Sequence, residues 1–175
     1  MKRTYVMPLL VLTVICIVVS AALALMNSVT HPIIASAENE RAEAAMSKKL
    51  PAATGFEQIS TESFDNMPSA VSEIYRATND VGYIFIAVVG GFSGDITVIC
   101  AIDTDGNIIA TSTLSHTETQ GIGTIIEQAS FLDTFTGTDH RLEGIDTVTG
   151  ATISTRAYIN AITDILNAYE IIRKG

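Results

Sequence analysis

A chain of 175 residues has room for one domain and an anchor, and its formal charge of −9, from 19 acidic residues against 10 basic, repels nucleic acid and anionic lipid headgroups. DNA and RNA are therefore excluded as partners. The two cysteines, Cys16 in an apolar run and Cys100 in a predicted strand, make no disulfide framework and no metal-binding spacing, so no metal is expected.

Lys2 and Arg3 precede an uncharged stretch from Thr4 to Thr30 with an apolar heart from Met7 to Met26. About 20 such residues cross a bilayer core as a helix. Pro8 falls in the first turn, where a missing N–H does little harm. Basic residues stay on the cytoplasmic side, so residues 1–30 predict a single-pass anchor in the cell (inner) membrane. The N-terminus is then cytoplasmic and the bulk of the chain extracytoplasmic. A cleaved signal peptide competes, with small-residue patterns at Ala22-Leu23-Ala24 and Ala35-Ser36-Ala37. The apolar run is longer than a signal core of about 7–15 residues, which favours the retained anchor. Both alternatives export the domain.

Residues 31–50 read as a juxtamembrane helix or stalk. His31 is a solvated junction residue and Pro32 can open a helix. From Ala35 to Leu50 acids come first and lysines last, matching the helix dipole.

Residues 51–175 read as one domain. Phe56–Ile59, Ala70–Ala77, Tyr83–Val89, Ile96–Asp103 and Asn107–Leu114 are candidate strands, with turn signals at Asn79–Gly82 and Asp105-Gly106. Tyr83–Val89 is apolar enough to be buried on both faces. Gly90, Gly91 and Gly94 lack the Lys-Ser/Thr ending of a phosphate loop and read as a turn that could touch a ligand. Ile125–Phe135 carries a helical apolar stripe, and a longer amphipathic helix runs from Thr155. The expected fold class is α+β, a small antiparallel sheet with packed helices, preceded by one N-terminal transmembrane helix.

Two stretches carry chemistry. In Asp146-Thr147-Val148-Thr149-Gly150-Ala151-Thr152, a Gly-Ala step lets another molecule approach the backbone, and Thr152 stands at a helix start, where an anion is welcome. Thr149, Thr152, Ser154 and Thr155 read equally as helix caps, and Asp146 as a turn residue. In His116-Thr117-Glu118-Thr119-Gln120-Gly121-Ile122-Gly123, two glycines one apart would admit a flat ligand to backbone donors. On chemistry alone His116 reads as a strand-end histidine.

The first stretch resembles the flavinylation motif of FMN-binding domains: Asp, two variable residues, Ser/Thr, Gly, Ala, then the acceptor Thr. Every fixed position matches. The second resembles the His-x-Glu-Thr-Pro-Gly-x-Gly loop of the same domains, with Gln120 where proline is usual. The resemblance implies FMN as cofactor, moved from FAD by a flavin transferase onto Thr152 through a phosphoester. It implies cofactor contacts from Thr149, Gly150, Ala151, His116, Glu118, Thr119, Gly121 and Gly123. Asp146 would serve transferase recognition.

The Asn27-x-x-Thr30-x-Pro32-x-Ile34 arrangement is also similar to the G subunit of Rnf-type electron transport complexes, to which the C subunit of the sodium-translocating NADH:quinone reductase is related. That branch implies electron relay between ferredoxin and NAD coupled to ion movement, with other membrane subunits as partners. The chain has no nicotinamide fingerprint and no iron–sulfur cysteine cluster, so it is not expected to be catalytic alone. A stand-alone extracytoplasmic flavoprotein and an unloaded membrane-anchored binding module are the alternatives.

Overall fold

The computed structural model describes residues 11–20, 26, 45–139 and 141–174. The chain divides into two units, Met1–Glu43 and Ala44–Gly175. In the first, residues 11–20 are helical, with apolar side chains such as Val11, Ile15 and Val18 exposed. Among the described residues no helix is long and apolar enough to cross a membrane. Most of the span expected over residues 1–30 lies outside the described residues, as does the stalk up to residue 44.

The second unit opens with a helical turn at 45–49. Met46 and Leu50 are buried, and the Lys49 ammonium donates to the Thr111 carbonyl at 2.9 Å. The last residues of the expected stalk therefore pack with the domain.

Five strands follow in a sequential antiparallel sheet: β1 Phe56–Ile59, β2 Val71–Ala77, β3 Gly82–Gly90, β4 Asp95–Asp103 and β5 Ile108–His116. Short connections between neighbours favour this meander. At the β4–β5 hairpin the Asp103 carboxylate accepts from the N–H groups of Asp105 and Asn107 at 2.9 and 2.8 Å.

Strand alternation explains the burial. Phe85 pairs with Cys100 and Ala87 with Val98, and these four face the main core. Ile84 opposite Ala101 and Ile86 opposite Ile99 lie on the other face and are buried too, as expected for β3. Burial, opposed by the Lys49 ammonium and a Thr111 hydrogen bond, pushes the Cys100 thiol up to about 12. Cys100 is therefore a packing residue rather than a nucleophile.

The C-terminal helix, Thr152–Lys174, lays Tyr158, Ala161, Ile162, Ile165 and Tyr169 into the core, with Arg173 and Lys174 at its last turn. Each fully buried isoleucine contributes roughly 1.5–3 kcal/mol. The Tyr158 hydroxyl is satisfied by the Thr111 hydroxyl at 2.8 Å.

Two sequence expectations need correction. The single helix expected over Ile125–Phe135 is three short turns: a 3-10 turn at Gly123–Glu127, a helical turn at Ala129–Leu132 and a 3-10 turn at Asp133–Phe135. Gln128 is extended at φ −75° and ψ 135°, which breaks the helix. The break lets Phe131 and Phe135 meet Tyr158 at centroid distances of 5.4 and 5.5 Å, while the Thr113 hydroxyl holds the Ile126 carbonyl at 2.8 Å. So short a segment has little helical stability of its own, and aromatic packing overrides its periodicity. The C-terminal helix also begins at Thr152, so Ser154 and Thr155 lie inside its first turn instead of capping it.

Candidate functional site

Three segments meet at one cavity of about 360 Å³: the β3–β4 loop, the segment after β5 and the start of the C-terminal helix. It is lined by Phe92 from the first, Glu118, Thr119, Ile122 and Gly123 from the second, and Gly150 to Ser154 from the third.

The helix start is set by its own hydroxyls. Gly150 stands at φ +89°, where a side chain would be strained, and the chain turns there. The Ala151 N–H donates to the Val148 carbonyl at 3.0 Å. The Thr155 hydroxyl donates to the Ala151 carbonyl at 2.9 Å and accepts from the Val148 N–H at 3.2 Å. Thr152, the first helical residue, is exposed, and its hydroxyl has only a 3.5 Å contact to the Val148 carbonyl. That length is at the limit of a hydrogen bond, so the hydroxyl is only weakly held. The first N–H groups of a helix lack intrahelical partners, and the dipole there attracts an anion.

Glu118 is the buried centre. It accepts a short hydrogen bond from the Ser154 hydroxyl and a 2.9 Å bond from the Ser93 N–H. Two glycines leave it room. A Cβ on Gly91 would lie 2.3 Å from Glu118 Oε1, and one on Gly123 would lie 2.6 Å from Oε2 and 2.7 Å from Glu118 Cβ. Burial pushes the Glu118 carboxyl up. Hydrogen bonds from Ser154 and from the Ser93 and Phe92 N–H groups, with His116 alongside, outweigh it and hold the carboxyl below its ordinary value.

A carboxyl lowered on folding stabilises the fold above its unfolded pKa, and that contribution is lost as pH falls through the folded value. Acid unfolding of Glu118→Gln is therefore expected to be less steep than that of the wild type below the ordinary carboxylate range. Urea titrations at stepped pH measure this, and parallel curves would refute it. Asp103, also lowered, contributes slope in the same direction: burial raises it, and hydrogen bonds from Asn107, Asp105 and Gly106 outweigh that.

Of the residues singled out in the sequence, Glu118, Thr119, Gly123, Gly150, Ala151 and Thr152 line the cavity; His116, Gly121, Thr149 and Asp146 do not. His116 Nδ1 accepts from the Glu118 N–H at 3.0 Å, and its Nε2 meets Glu127 at 3.1 Å, so it braces the segment. Gly121 is exposed and its N–H donates to the Thr124 hydroxyl. Thr149 is exposed beside Gly150, and exposed Asp146 accepts from the Thr147 N–H at 2.6 Å. Sequence reasoning missed Phe92, Ile122, Ile153 and Ser154 as cavity residues. The only signal was the glycine-rich turn around Phe92; Ile122 stands alone between two glycines and Ile153 between two hydroxyl residues, with no apolar pattern to mark either.

The FMN-binding domain model matches residues 91–167, a range that contains every residue of this cavity. The G subunit of the ion-translocating oxidoreductase complex of Cereibacter sphaeroides is 30% identical over 181 residues, covering 87% of this chain and 78% of that protein. This chain belongs to the FMN-binding domain family that includes these G subunits. The corresponding protein of Methanosarcina acetivorans is 28% identical over 174 residues, 91% of this chain and 93% of that protein. The G subunit of the Na(+)-translocating ferredoxin:NAD(+) oxidoreductase complex of Acetobacterium woodii is 27% identical over 192 residues, 94% of this chain and 91% of that protein.

FMN is the cofactor of the domain, and the cavity suits it. Its volume is within the range of small-molecule sites. Phe92 at 66% exposure and Ile122 and Ile153 at 56% offer apolar surface to a flat ring. The N-terminus of the last helix, where Thr152 is exposed, is a place that tolerates an anion.

Proposed function

We propose that this chain is a membrane-anchored flavoprotein that carries FMN through a phosphoester on Thr152 and serves as an electron-transfer subunit of an Rnf-type ion-translocating oxidoreductase complex. The observation that carries this is the exposed, weakly bonded Thr152 hydroxyl at the mouth of an apolar-rimmed cavity. Its relatives are named as G subunits of such complexes.

FMN, once bound, supplies reversible redox chemistry at a ring system that attachment through the phosphate leaves unmodified. The chain supplies position. Thr155 and Ser154 hold the first helical turn, so that Thr152 projects its hydroxyl outward. Glu118 and Gly123 form the buried side of the cavity, and Phe92, Ile122 and Ile153 form its apolar rim. The acidic domain gives a phosphate dianion little electrostatic help, and a covalent bond removes that need. Residues 1–30 form the anchor, with Lys2 and Arg3 in the cytoplasm and the FMN domain on the other side. There a tether keeps a cofactor that the cytoplasm does not replenish.

Other membrane subunits of the complex are its working partners, and a flavin transferase is its partner in maturation. Trypsin cuts after Arg141 and Arg156, so the whole motif travels in one peptide, residues 142–156. Mass spectrometry of that peptide, after co-expression with a flavin transferase, is expected to find FMN on it, with fragmentation assigning Thr152. An unmodified peptide from a host in which the transferase loads another substrate would return Thr152 to a purely structural role.

A further inference from the structure

The β3–β4 loop is outside both sequence motifs, yet it is built into the cavity. The Gly91 N–H donates to the Gly94 carbonyl at 2.8 Å and closes a tight turn with Phe92 near its tip. The turn is held from beneath by the Ser93 N–H on Glu118 Oε1 at 2.9 Å and by the Ser93 and Thr119 hydroxyls at 3.2 Å. Gly91 packs so closely on that carboxylate that no side chain would fit. The other oxygen of Glu118 takes the Ser154 hydroxyl, two residues beyond Thr152. One buried carboxylate thus joins the Phe92 loop to the Thr152 turn. A large apolar side chain held out by a fixed loop, at 66% exposure and on the rim of a cavity, is apolar surface prepared for a ligand.

We infer that Phe92 is a contact residue for the flavin ring, and that Glu118 is the positioning residue that holds Phe92 at a set distance from Thr152. This rests on the FMN site proposed above. An aromatic ring beside a flat conjugated ligand packs on it in offset or edge-on geometry and restricts its motion. The buried Glu118 acts on the loop and the helix turn, and the exposed Phe92 meets the ring.

Two measurements on the full-length chain in detergent test this. In the loaded chain, flavin fluorescence anisotropy is read before and after unfolding, as a measure of how firmly the ring is held. In the unloaded chain, made without transferase, riboflavin is titrated as a ring probe that lacks the phosphate. The wild type is expected to show a fall in anisotropy on unfolding and to bind riboflavin. Phe92→Leu keeps apolar bulk, and its exposed position keeps folding intact. It should lose most of that fall and bind riboflavin roughly 3- to 10-fold more weakly. Glu118→Ala should reproduce both effects. Glu118→Gln should restore both, because its carbonyl still accepts from the loop N–H groups and its amide can donate to Ser154.

The inference fails if Phe92→Leu or Glu118→Ala matches the wild type in both measurements, if Glu118→Gln behaves as Glu118→Ala, or if the wild type itself neither immobilises the ring nor binds riboflavin. An adduct on Thr152 with anisotropy independent of Phe92 overturns this inference alone. Phe92-dependent riboflavin binding with no adduct overturns the covalent link alone.

Discussion

Thr152→Ala is expected to abolish covalent flavin while leaving the domain folded. On a denaturing gel viewed under ultraviolet light, the wild-type band, co-expressed with a flavin transferase, should fluoresce and the variant band should be dark. The all-or-none effect follows from chemistry, since alanine has no oxygen to form a phosphoester. Folding is spared because the Thr152 hydroxyl makes only a 3.5 Å contact and its side chain is exposed. Surface changes of this kind shift stability by about 0.5 kcal/mol or less. The Val148, Ala151 and Thr155 bonds that shape the turn remain. Thr152→Ser keeps the hydroxyl and should keep the adduct. Asp146→Asn separates loading from holding. Asp146 is exposed, does not line the cavity and bonds only within its own turn, which leaves it available for the proposed recognition by the transferase. It should load more slowly and reach the same folded stability; loading at the wild-type rate would remove Asp146 from maturation.

Gly123→Ala is expected to damage both the fold and the loading. The added Cβ would stand 2.7 Å from Glu118 Cβ, which is fixed by the chain, and 3.1 Å from Ser154 Oγ. Glu118 cannot swing away cheaply, because Ser154 and Ser93 both hold it. Overpacking of this kind costs about 1–3 kcal/mol. That corresponds to a fall in Tm of roughly 3–10 °C for a domain of this size. The displaced helix turn carries Thr152, so gel fluorescence per folded molecule should fall as well. An unchanged Tm would mean that Glu118 is free to move, and normal loading in a destabilised variant would mean that its grip on Ser154 does not set the position of Thr152.

Much of the fold was legible because strands and long helices write their burial into local periodicity. All five strands and the amphipathic C-terminal helix follow from alternation and from apolar residues recurring at helical spacing. Ile125–Phe135 misled for the same reason. Its stripe is helical, but Gln128 turns extended so that Phe131 and Phe135 can pack on Tyr158, a residue of a distant helix.

The Asp146–Thr152 stretch and the His116–Gly123 string were visible as motifs because each is contiguous in the chain. What they do to one another was not. Glu118 and Ser154 lie 36 residues apart, and Ser93 lies 25 from Glu118. The sequence by itself therefore determined the order of the strands, the motif residues and the family's cofactor, because local patterns record them. Only the tertiary structure decided that one buried carboxylate ties three loops together, that Gly91 and Gly123 exist to admit it, and that Phe92 stands at the cavity with Thr152. Contacts between distant segments are set by how the sheet and helix pack, and no local pattern encodes that distance.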